Sequence, residues 1–316
     1  MISRSTLVGA LVVVELAIVG MAAKAIAGDA GAPSIQPFGF GHHHIGLFGR
    51  DGAPVTKPLD KTFRSGVAPH VVIDVHDVDV YVSTSPETGV HVVETVQTSG
   101  YVSGTFAALT AEPIADGLRI GSSGGSSVHV MIGSVDRALR LIVPAAAQVE
   151  IVSGGRVEVS GLRAKFIAHV EDGAIHVTNQ RGDVDVSTGD GRIYLTDVQS
   201  ADIAATTHSG RLYFTRVGAE RLDAHTNCGR IYATDIRAVD GALTTKDGRV
   251  SVSLAGNSDA TVTAKIQDSD DKITVSGLSA TDEGTNTRTV RLGSGRGHFE
   301  IGSDNGSVNI TQGANL

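Results

Sequence analysis

Four arginines recur every 19 residues in this chain: Arg192, Arg211, Arg230 and Arg249. Two residues beyond the first three stand Tyr194, Tyr213 and Tyr232. A guanidinium can grip a carboxylate or phosphate through two parallel N–H donors, and a tyrosine offers a ring face for a sugar as well as a hydroxyl. A fold that stacked these residues in register would set a column of cations beside a column of aromatics. Such a stripe suits an anionic glycan or cell-envelope polymer, and these seven residues form the candidate ligand-binding set. The spacing also has a purely structural reading. Tyrosine favours strands, stacked aromatics stabilise a sheet by themselves, and Asp190, Asp235 and Asp247 lie close enough in sequence to offset the arginines.

Other reactive groups are more scattered. The run Asp74-Val75-His76-Asp77-Val78-Asp79 places Asp74 and His76 on one strand face, with no third partner to complete an acid–base site. Asp268, Asp270 and Asp271 match neither the EF-hand loop nor the calcium-binding Gly-Gly-x-Gly-x-Asp repeat, so a solvated turn is expected. His42, His43 and His44 can hold a transition metal, but only incidentally in a flexible segment. Arg181-Gly182-Asp183 spells a tripeptide recognised by some animal receptors, at a half-coil turn where glycine is expected anyway. The single cysteine, Cys228, excludes an intramolecular disulfide and reads as a small corner residue. The sequence carries no phosphate loop, dinucleotide fingerprint or Ser-His-Asp elbow. A non-enzymatic protein is therefore expected, with no catalytic residue, cofactor or metal; a polysaccharide-active enzyme on the same scaffold is an alternative.

The elements that must position the stripe are written as a repeat. Glycines stand at Gly155, Gly173, Gly191, Gly210, Gly229 and Gly248, at spacings of 18, 18, 19, 19 and 19 residues. Two residues after each comes an aliphatic column: Val157, Ile175, Ile193, Leu212, Ile231 and Val250. Two further on comes a second: Val159, Val177, Leu195, Phe214, Ala233 and Val252. Another apolar pair precedes each glycine, as in Val184 and Val186 or Leu222 and Ala224. Thr188, Thr207, Thr226 and Thr245 stand three residues before theirs. Each unit thus holds two short alternating strands ended by turns. Asp, Ser or Cys before the glycine suggests a left-handed corner there. A unit this short cannot bury its apolar face alone, but identical units stacked in register can, about 4.8 Å apart. The predicted fold is an all-β parallel β-solenoid, or β-helix, of two-strand coils repeating every 18–19 residues. Composition agrees: Gly reaches 39 residues, aromatics are 4% and Trp is absent, a mix for short strands and tight corners rather than a helical core.

The flanks complete the layout. Residues 151–256 carry the regular repeats, 61–150 read as an N-terminal β cap, and 257–316 as irregular C-terminal coils and a cap. Residues 28–60 form a Gly/Pro/His-rich linker, and 1–27 a signal anchor or signal peptide. Residues 7–23 are almost entirely apolar, with Arg4 before and Lys24 after, and Glu15 is their only charge. They predict an N-terminal hydrophobic helix that holds the chain in the membrane with its C-terminal part outside the cytoplasm. Small residues at Ala25 and Ala27 allow the alternative, cleavage near Ala27 and release. A net charge of −8, with both signs interspersed, argues against nucleic acid as a partner.

The run Leu139-Arg140-Leu141-Ile142-Val143-Pro144, leading into Gly-x-aliphatic-x-aliphatic coils, resembles the bacterial putative-adhesin β-strand-repeat family. So do the closing Arg291-Leu292-Gly293-Ser294-Gly295 and Asp304-Asn305-Gly306-Ser307-Val308. That family is a domain of unknown function related to the head domains of auto-transporter adhesins. The resemblance spans roughly residues 65–312. It implies a role in adhesion and supplies no catalytic residues. With the export read from the N-terminus, the chain is expected at the cell envelope, adhering or binding an envelope polymer; a structural or envelope-sensing membrane protein acting through protein partners is the alternative.

Overall fold

The computed structural model describes residues 58–313, apart from 124–126, 269 and 283. The hydrophobic run, the histidine tract and residues 28–57 of the linker lie outside the described residues; the last linker residues are part of the fold instead, with Leu59 buried and Asp60 opening the strand Asp60–Phe63. Among the described residues every regular element is a strand, and no helix is long and apolar enough to cross a membrane.

The repeat folds as the glycine spacing predicts. Val157, Ile175, Ile193, Leu212, Ile231 and Val250 pair in one parallel ladder, and Val159, Val177, Leu195, Phe214, Ala233 and Val252 in a second. On the other strand of each coil, Val149, Phe166, Val184, Ile203 and Leu222 form a third. All are buried. Alternation decides this: successive strand residues point to opposite faces, so a period of two puts one set inside and its neighbours outside. Each fully buried aliphatic or Phe side chain contributes about 1.5–3 kcal/mol.

The glycines serve a purpose that differs from the expected one. None of the six repeat glycines has the left-handed backbone. A Cβ on Gly210 would instead overlap the carbonyl oxygen of Gly191, and one on Gly229 that of Gly210. Glycine is required because the next coil's backbone passes directly over the Cα. The threonine ladder fastens this corner: Thr188 Oγ1 donates to the Gly173 carbonyl at 3.1 Å and Thr245 Oγ1 to that of Gly229 at 3.1 Å. The left-handed residues stand at the opposite corner, as Asn179, Asp197, Arg216 and Asp235.

The change from 18 to 19 residues is also made at that second corner. In the two 18-residue coils a single buried side chain fills it, Leu162 in the first and Gln180 in the second, the latter donating through Nε2 to the Ala164 carbonyl at 2.7 Å. In the longer coils Val198, Val217 and Ile236 turn inward there, and the backbone pairing runs on around the bend. Strands Arg192–Thr207, Arg211–Cys228 and Arg230–Asp247 are therefore continuous. The extra residue gives these coils a short third face.

Both ends are interleaved. His70–Val75 pairs in parallel with Gln148–Ser153 on one side and Gly117–Ser123 on the other. Asp79–Ser85 likewise lies between Val157–Ser160 and Ser127–Pro144. The first coil in sequence thus sits inside a coil that follows it. At the far end Gly297–Asn305 lies between Arg230–Asp247 and Ala260–Ile266. Antiparallel strands close the outer edges: Val90–Thr105 on Ser127–Pro144, Ala108–Ile114 on Gly117–Ser123, and Thr287–Arg291 on Ala260–Ile266. Such closure blunts edges that would otherwise template pairing with other chains. A buried ion pair clasps the N-terminal cap. Arg137 Nε donates to Glu94 Oε1 at 2.7 Å and Nη2 to the Ala107 carbonyl at 2.6 Å, while Leu59 N–H donates to Glu94 Oε2 at 3.2 Å.

Candidate functional site

The coil register brings the seven stripe residues together. Arg192, Arg211 and Arg230 are direct partners across adjacent strands, as are Tyr194, Tyr213 and Tyr232. Arg249 extends the first column: the Ile231 N–H donates to its carbonyl at 3.0 Å. All four arginines are exposed, and the tyrosines are half-buried. Beyond the tyrosines runs a hydroxyl column, Thr196, Thr215 and Thr234, in the same register.

The tyrosine rings stack on one another. Tyr194 and Tyr213 have centroids 4.8 Å apart and planes 5° apart; Tyr213 and Tyr232 are at 5.3 Å and 12°. His176, which the repeat pattern placed at the same position but the stripe omitted, prolongs the stack at 4.4 Å from Tyr194. Burial lowers its pKa from the ordinary 6.5, outweighing the opposing influence of Glu158. The column then runs on through Glu158 and Tyr81 to Arg140, whose guanidinium sits 4.6 Å from the Tyr81 centroid. Stacking has a chemical consequence. Ring faces inside the column are covered by their neighbours, so a ligand meets tyrosine edges and hydroxyls rather than the sugar-stacking faces that the residue types suggested.

The arginines are less neutralised than expected. Among the described residues, no carboxylate lies within ion-pair distance of Arg192, Arg211, Arg230 or Arg249. Tyrosine hydroxyls are their neighbours: the hydrogen bond with Tyr213 holds Arg211 above its ordinary pKa, and Arg230 Nη1 donates to Tyr232 at 3.4 Å. Two of the three aspartates expected to offset them are engaged elsewhere. Asp247 accepts from Asn305 Nδ2 at 2.7 Å, and Asp235 acts on Arg216 at the left-handed corner. The strands that carry these arginines lie about 4.8 Å apart, inside the Debye length of about 8 Å, so like charges on them are only partly screened from one another.

The other candidates stay apart. Asp74 and His76 are both exposed, with no hydrogen bond between them. Asp268 accepts from the Asp270 N–H at 3.0 Å, closing an ordinary turn. In the Arg181-Gly182-Asp183 run, Asp183 Oδ1 is engaged by Ser200 Oγ at 3.1 Å and the Asp202 N–H at 3.2 Å. Cys228 is exposed, its Sγ 3.8 Å from Asp247 Oδ2. Among the described residues, no cluster of three His, Cys, Asp or Glu side chains could hold a metal ion.

Fold and stripe together define a parallel β-solenoid with charged and aromatic columns along one face. The family model of the Toastrack domain, DUF4097, matches residues 148–311, and the chain belongs to that family. Three solved structures are similar at low identity. A putative adhesin from Bacteroides fragilis is 11% identical, with 82% of this chain and 98% of that one covered and a TM-score of 0.46. A putative lipid binding protein from Parabacteroides distasonis is 12% identical, with coverage of 81% and 95% and a TM-score of 0.37. A putative cell adhesion protein from Clostridium sporogenes is 13% identical, with coverage of 81% and 100% and a TM-score of 0.27. At these scores the likeness carries no functional argument. No curated protein matches the chain.

Proposed function

We propose that this protein is a non-enzymatic, adhesin-like β-solenoid of the cell envelope whose Arg/Tyr stripe binds an anionic glycan or envelope polymer lying along the solenoid axis. One observation carries the reading: four arginines at the same position of successive coils without a carboxylate in ion-pair reach, on a chain of net charge −8. A polyanion laid across the coils would meet a guanidinium at each coil and relieve the repulsion, with tyrosine and threonine hydroxyls beside it. The envelope location rests on the apolar run of residues 7–23, read as an anchor that leaves the solenoid outside the cytoplasm.

A second reading, a structural or envelope-sensing scaffold acting through protein partners, is favoured by the covered tyrosine faces. A pull-down of the full chain on peptidoglycan, anionic polysaccharides and whole cells separates the two. The stripe predicts salt-sensitive capture of an anionic polymer, abolished by Arg192→Gln, Arg211→Gln, Arg230→Gln and Arg249→Gln together in a protein that keeps its tyrosine circular dichroism. Capture of envelope proteins alone, unchanged by those substitutions, would establish the scaffold.

A further inference from the structure

The ends of the solenoid are closed unevenly. Antiparallel strands cover both faces of the N-terminal end and one face of the C-terminal end: Val90–Thr105, Ala108–Ile114 and Thr287–Arg291. The remaining terminal strand, Ile273–Ser276, pairs in parallel with Val308–Gln312 and, among the described residues, with no other strand. That ladder includes the Lys272 carbonyl, which accepts from the Val308 N–H at 3.1 Å. Alternate residues of a strand bond to opposite sides, so the N–H and C=O of Ile273 and Val275 point away from Val308–Gln312. Among the described residues no backbone partner meets them.

The apolar face of this strand is also unfinished. Val308 and Ile310 on the neighbouring strand are fully buried, whereas Ile273, Val275 and Leu278 pack against the core only partly buried. Other outer strands are blunted: Asp60–Phe63 by Asp60 and Lys61, Ala108–Ile114 by Glu112 and Pro113, and Ala280–Asp282 by its length of three residues. Ile273–Ser276 carries neither charge nor proline. On the other face of the same end, Thr287–Arg291 and Ala280–Asp282 continue the sheet two strands beyond Ala260–Ile266. This step bars a second solenoid from stacking end to end and leaves room for an extended peptide. Asp268, Asp270 and Asp271 precede the strand, and Lys272 offsets one of their charges, so the approach is net acidic.

We propose that Ile273–Ser276 is a docking edge for an extended peptide of a partner protein. The peptide adds as an antiparallel strand, as at the three covered edges, with apolar residues at alternate positions and lysine or arginine at its C-terminal end. Its apolar side chains lie beside Ile273 and Val275, and its basic end meets Asp268, Asp270 and Asp271. The edge is independent of the Arg/Tyr stripe.

The test uses the full chain and a short fluorescent peptide that alternates valine with threonine and ends in a pair of lysines. Anisotropy reads the binding, and hydrogen exchange at the Ile273 and Val275 amides, expected to slow, reads its place. Valines opposite Ile273 and Val275 would supply the bonded N–H groups. Methylating the valine nitrogens should therefore abolish binding, and methylating the threonine nitrogens should leave it intact. Val275→Pro removes an outward donor and no bond to Val308–Gln312. It should weaken binding about tenfold, the scale of one lost hydrogen bond, with the Val308 and Ile310 amides still protected. Asp268→Asn with Asp270→Asn should weaken it by up to about fivefold. No binding, equal effects of the two methylations, or Ile273 and Val275 amides already protected in the free chain would overturn the edge.

Discussion

The same coils carry charge in two different ways. On the face of Tyr194, Tyr213 and Tyr232, like charges stack as Arg192, Arg211, Arg230 and Arg249 with no carboxylate in reach. At the left-handed corner and on the other strand, charges alternate. Arg216 is gripped by Asp197 through two hydrogen bonds of 2.6 and 2.7 Å, and Arg221 donates to Asp223 at 2.6 Å. Coil stacking is identical in both places, so it cannot be the cause. A repeat brings every position against its own copy, and a like-charged column repels unless its residues alternate in sign. The corner alternates, as Asp197, Arg216 and Asp235. The stripe does not, and this like-charged column is the observation on which the proposed anionic ligand rests.

Removing the shared stacking should erase the contrast altogether. Gly210→Ala would force a Cβ against the Gly191 carbonyl and is expected to cost roughly 3 kcal/mol or more. Denaturant unfolding measures the loss, and the tyrosine circular dichroism should fall with it. A variant of parental stability would mean the coils pack less closely than described.

A smaller effect separates the two columns by sign. Arg216→Gln removes a paired charge and should lower the melting midpoint by about 1–2 °C, as expected for an exposed ion pair. Arg211→Gln removes an unpaired one and should leave the midpoint unchanged or raise it. Equal losses in both would show that the stripe arginines are compensated after all.

The smallest effect is a pH dependence at the end of the stack. Burial depresses the pKa of His176, so the folded state disfavours the imidazolium. The stabilising contribution is then present above the unfolded value near 6.5 and is lost as the pH falls through the folded value. Melting midpoints taken from neutral to mildly acidic pH should decline, and His176→Gln should flatten that part of the curve. An unchanged slope in the variant would assign the decline to other groups.

The central coils were legible because each glycine announces its own coil, and an alternation of two then fixes which residues point inward. Arg192 and Tyr194 could be placed on the surface by that argument alone. His176 carried the same signal, two residues before Thr178 and three after Gly173, and only its residue type concealed its place in the aromatic column. The ends were not legible as coils. His70–Val75 pairs with Gln148–Ser153, far along the chain, because the intervening segment supplies the outer coil and its antiparallel cover. A repeat spacing cannot report an insertion of that kind. The covering of the tyrosine faces also lay beyond the sequence, since it depends on ring orientation rather than register. The third face was present only as one extra residue per coil.

The most direct measurement is the salt dependence of binding to alginate, an anionic polysaccharide, for three proteins. These are the parent, the four-arginine stripe variant, and a control with Arg216→Gln and Arg221→Gln. The account predicts parental affinity that falls steeply with salt, near-complete loss in the stripe variant, and parental behaviour in the control. A stripe variant that binds as well as the parent, or a control that loses as much, would contradict it.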